Sequence, residues 1–219
     1  MSVVTIERTV LEKNDTIAAQ NRARFAEHRL FVFNVVSSPG AGKTSLLERT
    51  IEHLKGRLRI AVVEGDVQTD FDAQRVARYG VPVVQIVTNG GCHLEARLVQ
   101  DALARLDLSA VDLLVIENVG NLVCPANYDL GEALKVVVLS TTEGDDKPLK
   151  YPGMFRNASV LVINKIDLLP YVNCDVETVK RHALQINPSL TVFETSCTTR
   201  AGVPAWAEWL AAQVAAARA

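Results

Sequence analysis

Cysteine and histidine each occur four times in this chain, and one of each stands side by side in the stretch NGGCHLEA, as Cys92-His93. A thiolate and an imidazole are the best soft-metal ligands a protein has. Two adjacent residues cannot enclose an ion, so the remaining ligands must come from elsewhere. A second chemistry is written into Ser37-Ser38-Pro39-Gly40-Ala41-Gly42-Lys43-Thr44. It fits the phosphate-loop pattern G-x-x-x-x-G-K-S/T, except that Ser37 stands where the first Gly is usual. Ser38, Pro39, Gly40, Ala41 and Gly42 form the expected cradle of backbone around the phosphates. Lys43 would reach the β- and γ-phosphates, and the Thr44 hydroxyl would bind Mg²⁺. Ser45 opens the helix whose positive N-terminus completes the site.

Base recognition is expected at Asn164-Lys165-Ile166-Asp167, the N-K-x-D pattern. The Asp167 carboxylate can accept two hydrogen bonds, from the guanine ring N–H and its exocyclic amine. Adenine lacks that pair of donors and would leave the acid unpaired. Asn164 can bond the other edge of the base, and the Lys165 stem can pack on its face. Backbone at Thr195-Ser196-Cys197 is placed for a further contact. These features point to GTP. The acids that serve the phosphates are sought at other strand ends. Glu117-Asn118-Val119-Gly120 is D-x-x-G with Glu for Asp, so Glu117 would hold Mg²⁺ and the Gly120 N–H would face the γ-phosphate. Glu64-Gly65-Asp66 ends another run, with Asp70 and Asp72 beyond it. Asp66 is expected on Mg²⁺. No Gln lies in 117–122, so Asp72 is expected to position the attacking water. Lys43, Asp72 and Glu117 are thus the expected catalytic residues.

Such loops need strands to hold them. LFVFNVV (30–36) is an apolar, β-branched run that stops at Ser-Ser-Pro-Gly, as a buried strand does. Similar runs occupy 59–64, 83–87, 112–117, 135–140, 159–164 and 190–194. Helical spacing occupies about 43–56, 69–79, 92–106, 175–186 and 203–217. Strands apolar on both faces, alternating with helices, predict a mostly parallel sheet covered on both sides. The fold class is α/β: a phosphate-loop NTPase domain over 30–219. Residues 1–29 are expected as an N-terminal helical extension, loosely amphipathic over 6–28. Val3, Val4 and Ile6 are free either to pack on the domain or to meet a partner.

The bulk numbers agree. A chain of 219 residues, 48% hydrophobic and 22% charged, is long enough for a sizeable core. A net charge of −2 gives no basic surface for nucleic acid. No run approaches the roughly 18 apolar residues of a membrane span, and the first residues lack the apolar core of a signal peptide. A cytoplasmic protein is expected, in which cysteines stay reduced for metal or catalysis.

The runs SSPGAGKTS, EGD, DFDAQR, GGCHLEA, IENVGNLVCP, STTEGDD and NKIDL together resemble the HypB family, GTPases that serve nickel insertion into nickel–iron hydrogenase and are related to the urease accessory GTPase UreG. The resemblance runs through essentially the whole chain from about residue 15. It implies a homodimer around GTP with a metal site at the interface. Cys92, His93 and Cys124 would be the Ni²⁺ or Zn²⁺ ligands, with a two-fold partner supplying the rest. It further implies that Lys150 reaches across the dimer to the partner's guanine. A HypA-type nickel maturation factor and the hydrogenase large subunit are the implied protein partners. The N-terminal Cys or His motifs of some members have no counterpart here, since the first 27 residues contain neither residue. Two other classes remain open on the residues alone. One is a metal-binding interaction module with a non-catalytic nucleotide site, against which Lys43, Thr44, Glu117 and Asp167 argue. The other is a small-molecule kinase, which short loops and N-K-x-D disfavour.

Overall fold

Burial of both faces of FVFNVVS explains why this run founds the sheet. In strand β1 (Phe31–Ser37), Phe31, Phe33 and Val35 face one side and Val32 and Val36 the other, and all seven residues are buried. The structure, a computed structural model, describes residues 6–218, with side chains from residue 10 onward. Val3 and Val4, and the side chain of Ile6, lie outside the described residues.

Helix α1 (Ile6–Glu27) precedes β1. Then follow α2 (Lys43–Leu54), β2 (Ile60–Asp66), α3 (Phe71–Ala77), β3 (Val83–Val87), α4 (Ala96–Leu103), β4 (Leu113–Glu117) and β5 (Leu134–Ser140). The chain ends with α5 (Lys147–Lys150), α6 (Pro152–Arg156), β6 (Val160–Asn164), α7 (Val176–Ile186), β7 (Thr191–Glu194) and α8 (Val203–Arg218). All seven strands form one sheet in the order β3-β2-β4-β1-β5-β6-β7. Every pairing is parallel. β1 lies at the centre, so the loops at its C-terminal end sit in the crevice where such sheets bind ligands.

Helices cover both faces. On one face α2, α3 and α8 bury Leu47, Ile51, Val76, Trp206 and Leu210 against Phe33, Val62 and Val115. Each fully buried large apolar side chain there contributes about 1.5–3 kcal/mol. On the other face α1 and α4 bury Phe25, Val99 and Leu103 over β1, β2 and β4, and α6 and α7 bury Phe155, Val179 and Ala183 over β5 and β6. α1 is fixed along its length: Ala18 and Phe25 are buried, and Asn21 donates to the carbonyls of Ala96 (2.9 Å) and Leu130 (3.1 Å).

One stretch differs from expectation. The helix expected over 92–106 starts only at Ala96, because Asn89 and Gly90 take left-handed backbone and make a turn that ends the strand first. The long loop after β5 is partly ordered. Ser140 and Glu143 form a reciprocal capping box, and Pro148 and Pro152 start the short helices α5 and α6.

Candidate functional site

β1 leads straight into the phosphate loop. Lys43 Nζ lies 3.2 Å from Ser37 Oγ, so the residue standing in for the first Gly anchors the lysine's approach. Asn164, buried at the end of β6, donates to the Ala41 carbonyl at 3.0 Å. Lys165, held in left-handed backbone, donates from Nζ to the Gly40 carbonyl at 2.7 Å. The N-K-x-D segment thereby straps the phosphate loop from outside, a role for Asn164 and Lys165 that the motif alone does not reveal. Asp167 follows in a short helical turn, half-buried. Thr195 Oγ1 and Cys197 Sγ both donate to Asn164 Oδ1, at 3.2 and 3.5 Å, and burial pushes the Cys197 thiol up to about 11. Ser196 is fully buried and its amide donates to the Ala201 carbonyl within the loop. Ser45, one residue after Thr44, accepts a hydrogen bond from Arg75 at 3.2 Å.

Below the phosphate loop lies a group of acids. The Thr44 hydroxyl donates to Glu117 Oε1 at 2.7 Å. Glu64 stands directly opposite Glu117 in the β2–β4 register, and with Asp72 the three carboxylates lie within 4.8 Å of one another. Glu64 and Glu117 are each only 2% exposed, and each keeps one oxygen without a partner. Burial is the main cause that raises Glu64 to about 11, followed by the charge of Glu117; burial likewise raises Glu117. Two orphaned carboxylate oxygens beside a hydroxyl are a hard, all-oxygen donor set, which fits Mg²⁺. Asp72 and Glu117 therefore meet as expected, and Glu64 is an addition. Asp66, expected on the magnesium, is not in this group. Its Oδ1 instead accepts from the amides of Gln68 (2.9 Å) and Thr69 (2.7 Å) and caps its own turn. Alternation gives Glu64 and Asp66 the same face of β2, but β4 ends at Glu117, so Asp66 extends past the pairing that seats Glu64 and turns to the amides of its own loop.

Gly120 crosses against the phosphate loop so closely that a Cβ there would stand 3.1 Å from Pro39 Cα. A side chain there would press on the loop backbone, which glycine avoids. Lys150 lies apart from this centre, on α5, paired with Asp146 at 2.6 Å.

The second cluster lies one loop away. Cys92, His93 and Cys124 offer ligand atoms within 4.8 Å of one another. Cys92 Sγ is 3.5 Å from His93 Nδ1, and Cys92 is exposed while the other two are half-buried. A hydrogen bond to Cys124, then burial, raises the Cys92 thiol. Burial lowers His93, whose ring packs on Tyr128 with centroids 4.0 Å apart. A neutral imidazole and two thiols facing one another are prepared for a borderline-soft divalent ion. Although β3 and β4 are not neighbours, their loops meet over the end of β2. There the buried Leu94 fills the space above Gly65, where a Cβ would come within 2.7 Å of it. Cys174 and Cys197 stand outside this cluster.

Comparison with known proteins places the chain in a family. The model of the CobW/HypB/UreG nucleotide-binding domain matches residues 31–194. The hydrogenase maturation factor HypB of Azotobacter vinelandii is 56% identical over 211 residues, which is 96% of this chain and 70% of that protein. The crystal structure of HypB from Helicobacter pylori in complex with nickel superposes with a TM-score of 0.88 at 40% identity, covering 92% of this chain and 95% of that one. HypB from Archaeoglobus fulgidus gives a TM-score of 0.87 at 40% identity, over 93% of this chain and 99% of that one. With the family match spanning the phosphate loop, the guanine-type motif and all three residues of the Cys92–His93–Cys124 cluster, the chain belongs to the CobW/HypB/UreG nucleotide-binding family and, within it, to the HypB hydrogenase maturation factors.

Proposed function

We propose that this hydrogenase maturation factor hydrolyses GTP and uses its nucleotide state to control when nickel is held and when it is released. One observation carries the reading. Glu117, bonded to the phosphate-loop Thr44, lies seven residues before Cys124, which faces Cys92 and His93. A single short segment therefore belongs to both sites.

Catalysis here is mostly positioning and charge stabilisation. The loop Ser38–Thr44 holds the phosphates, Lys43 neutralises charge on the transferred group, and Gly120 presents its amide to the γ-phosphate. Thr44, Glu117 and Glu64 are the residues that would hold Mg²⁺, which supplies charge neutralisation at the β- and γ-oxygens when bound. Asp72 orients the attacking water. Asp167 selects guanine and Asn164 and Lys165 support the base. Cys197 and Ser196 close the far edge of the base site.

Nickel is cargo rather than a resident cofactor. Three ligands per chain leave the ion's shell incomplete, and a second copy of the chain bound in the GTP state would complete it. Zn²⁺ suits the same donors in tetrahedral geometry, and Ni²⁺ is favoured if the shared site is square planar. Delivery then involves a HypA-type factor and the hydrogenase large subunit. The test is a nickel titration in excess GDP and again in excess non-hydrolysable GTP analogue, at fixed pH and protein concentration. A difference of about 5- to 150-fold corresponds to an ordinary coupling free energy of about 1–3 kcal/mol. Equal affinities would refute the control of metal by nucleotide.

A further inference from the structure

We propose that Asn118 is the positioning residue through which the nucleotide end of the molecule sets the metal loop; this rests on the function proposed above. Asn118 follows Glu117 directly and is 1% exposed. Its Oδ1 accepts from the Leu94 amide at 3.0 Å, and Leu94 is the residue after Cys92-His93. The same oxygen accepts from the Val119 amide at 3.0 Å, locking the side chain to its own backbone. Its Nδ2 donates to Asn34 Oδ1 on β1 at 3.3 Å. Asn34, 0% exposed, donates in turn to Glu132 Oε1 at 3.2 Å. Lys135, whose Nζ stands 3.9 Å from that carboxylate, donates to the carbonyls of Pro125, Ala126 and Tyr128 at 3.1, 3.2 and 3.0 Å. Pro125 is the residue after Cys124.

One buried polar chain thus has its two ends on the backbone next to the two arms of the metal cluster. Its middle is the residue next to the magnesium-site glutamate. Buried polar groups at this depth are held to their partners, because an unpaired one costs the full desolvation penalty. A shift of the 117–118 peptide therefore cannot leave the Leu94 amide behind without exposing a cost. Apolar packing alone would let the loops slide independently. Hydrogen bonds of fixed direction make them move as a set. Asn118→Ala removes the acceptor for Leu94 and the donor to Asn34 together, while leaving every proposed ligand of magnesium, guanine and nickel in place.

The experiment is nickel titration of the parent and Asn118→Ala in excess GDP and in excess GTP analogue, with guanine-nucleotide affinity measured alongside. The parent is expected to show the nucleotide-dependent ratio. In the variant that ratio is expected to fall to within about twofold of unity, with nucleotide affinity nearly unchanged. If both affinities drop by the same factor and the ratio survives, Asn118 is merely structural and the proposal is overturned. If the parent itself shows no ratio, the functional reading fails and this proposal with it, so the two failures are distinguishable. A second measurement needs no variant: hydrogen exchange of the Leu94 amide in the parent. Its protection is expected to differ between the GDP and GTP-analogue states, and identical protection would overturn the proposal even if Asn118→Ala does not fold.

Discussion

Glu64 carries a carboxyl into the interior opposite another carboxyl, and its state bears directly on the proposed cation site. In the unfolded chain it titrates near 4.5, and in the fold burial and Glu117 push it up to about 11. Folding at neutral pH therefore draws a proton onto it. The sign follows: this group's contribution is fully favourable below about pH 4.5 and is progressively lost as pH rises toward the folded value. Glu64→Gln keeps the shape without the proton requirement. The variant is expected to be more stable than the parent at pH 7 without Mg²⁺, by about 2–3 kcal/mol, and to bind Mg²⁺-nucleotide more weakly. Thermal melts at pH 5 and pH 7.5, with and without Mg²⁺, check both; a destabilised variant at pH 7.5 without Mg²⁺ would mean the charge is already compensated. Asp167 makes the opposite kind of argument, from donors and acceptors rather than burial. Asp167→Asn replaces one acceptor with a donor, which should weaken GTP binding by about 2–4 kcal/mol and let xanthine nucleotide compete. Competition binding with the two nucleotides decides it, and an unchanged preference for GTP would place base reading elsewhere.

Helix α3 is where residue chemistry becomes an arrangement of elements. Arg75 on α3 bonds Glu48 of α2 at 2.8 Å, Asp72 at 2.9 Å and Ser45 at 3.2 Å, so it docks α3 onto the helix that begins at the phosphate loop. Asp72 is held over the acid cluster by that dock. Asp72→Ala should lower GTP turnover roughly 10²-fold and leave GTP affinity nearly intact, as single-turnover and binding measurements would show. A large affinity loss would move Asp72 from catalysis to binding. How much of this was legible beforehand divides along one line. The strands were readable because parallel strands buried on both faces must be apolar throughout, and the phosphate-loop and N-K-x-D segments were readable as motifs because each is local. The Glu64–Glu117 pair was not, since it depends on the register between β2 and β4, strands that β3 separates in sequence. Nor was the Asn118 chain, although it left a trace: Asn34 interrupts FVFNVV at its centre, and a polar residue inside a buried strand needs a partner. The late start of α4 was missed because the helical spacing of HLEARLVQDA continues back into a turn that Asn89 and Gly90 form.

At the scale of the whole molecule, Lys150 and Cys92 both lie at the surface. Lys150 is paired with its neighbour Asp146 on the same helical turn, an exposed, solvent-screened ion pair that contributes little to the fold. Lys150→Ala should therefore leave the melting temperature unchanged and weaken GTP-analogue-dependent dimerisation, read by sedimentation; an unchanged profile would remove Lys150 from the interface. The metal cluster gives the corresponding test of pH. Binding requires thiolates, and the Cys92 proton is held by its hydrogen bond to Cys124 and by burial. His93 needs no such change, because burial already favours its neutral form. Protons from the thiols therefore compete with nickel while the imidazole does not. Lowering the pH should weaken nickel binding, by up to about tenfold per pH unit for each thiol proton displaced. With Cys92 and Cys124 both ligating, about two protons should leave for each chain that engages the ion. Titration in weakly buffered solution near pH 7 counts them directly, and Cys92→Ala and Cys124→Ala should each abolish the site while guanine binding persists. Release of no protons, with nickel still bound, would mean that the ion sits away from both thiols and that the segment shared with Glu117 has no part in holding it.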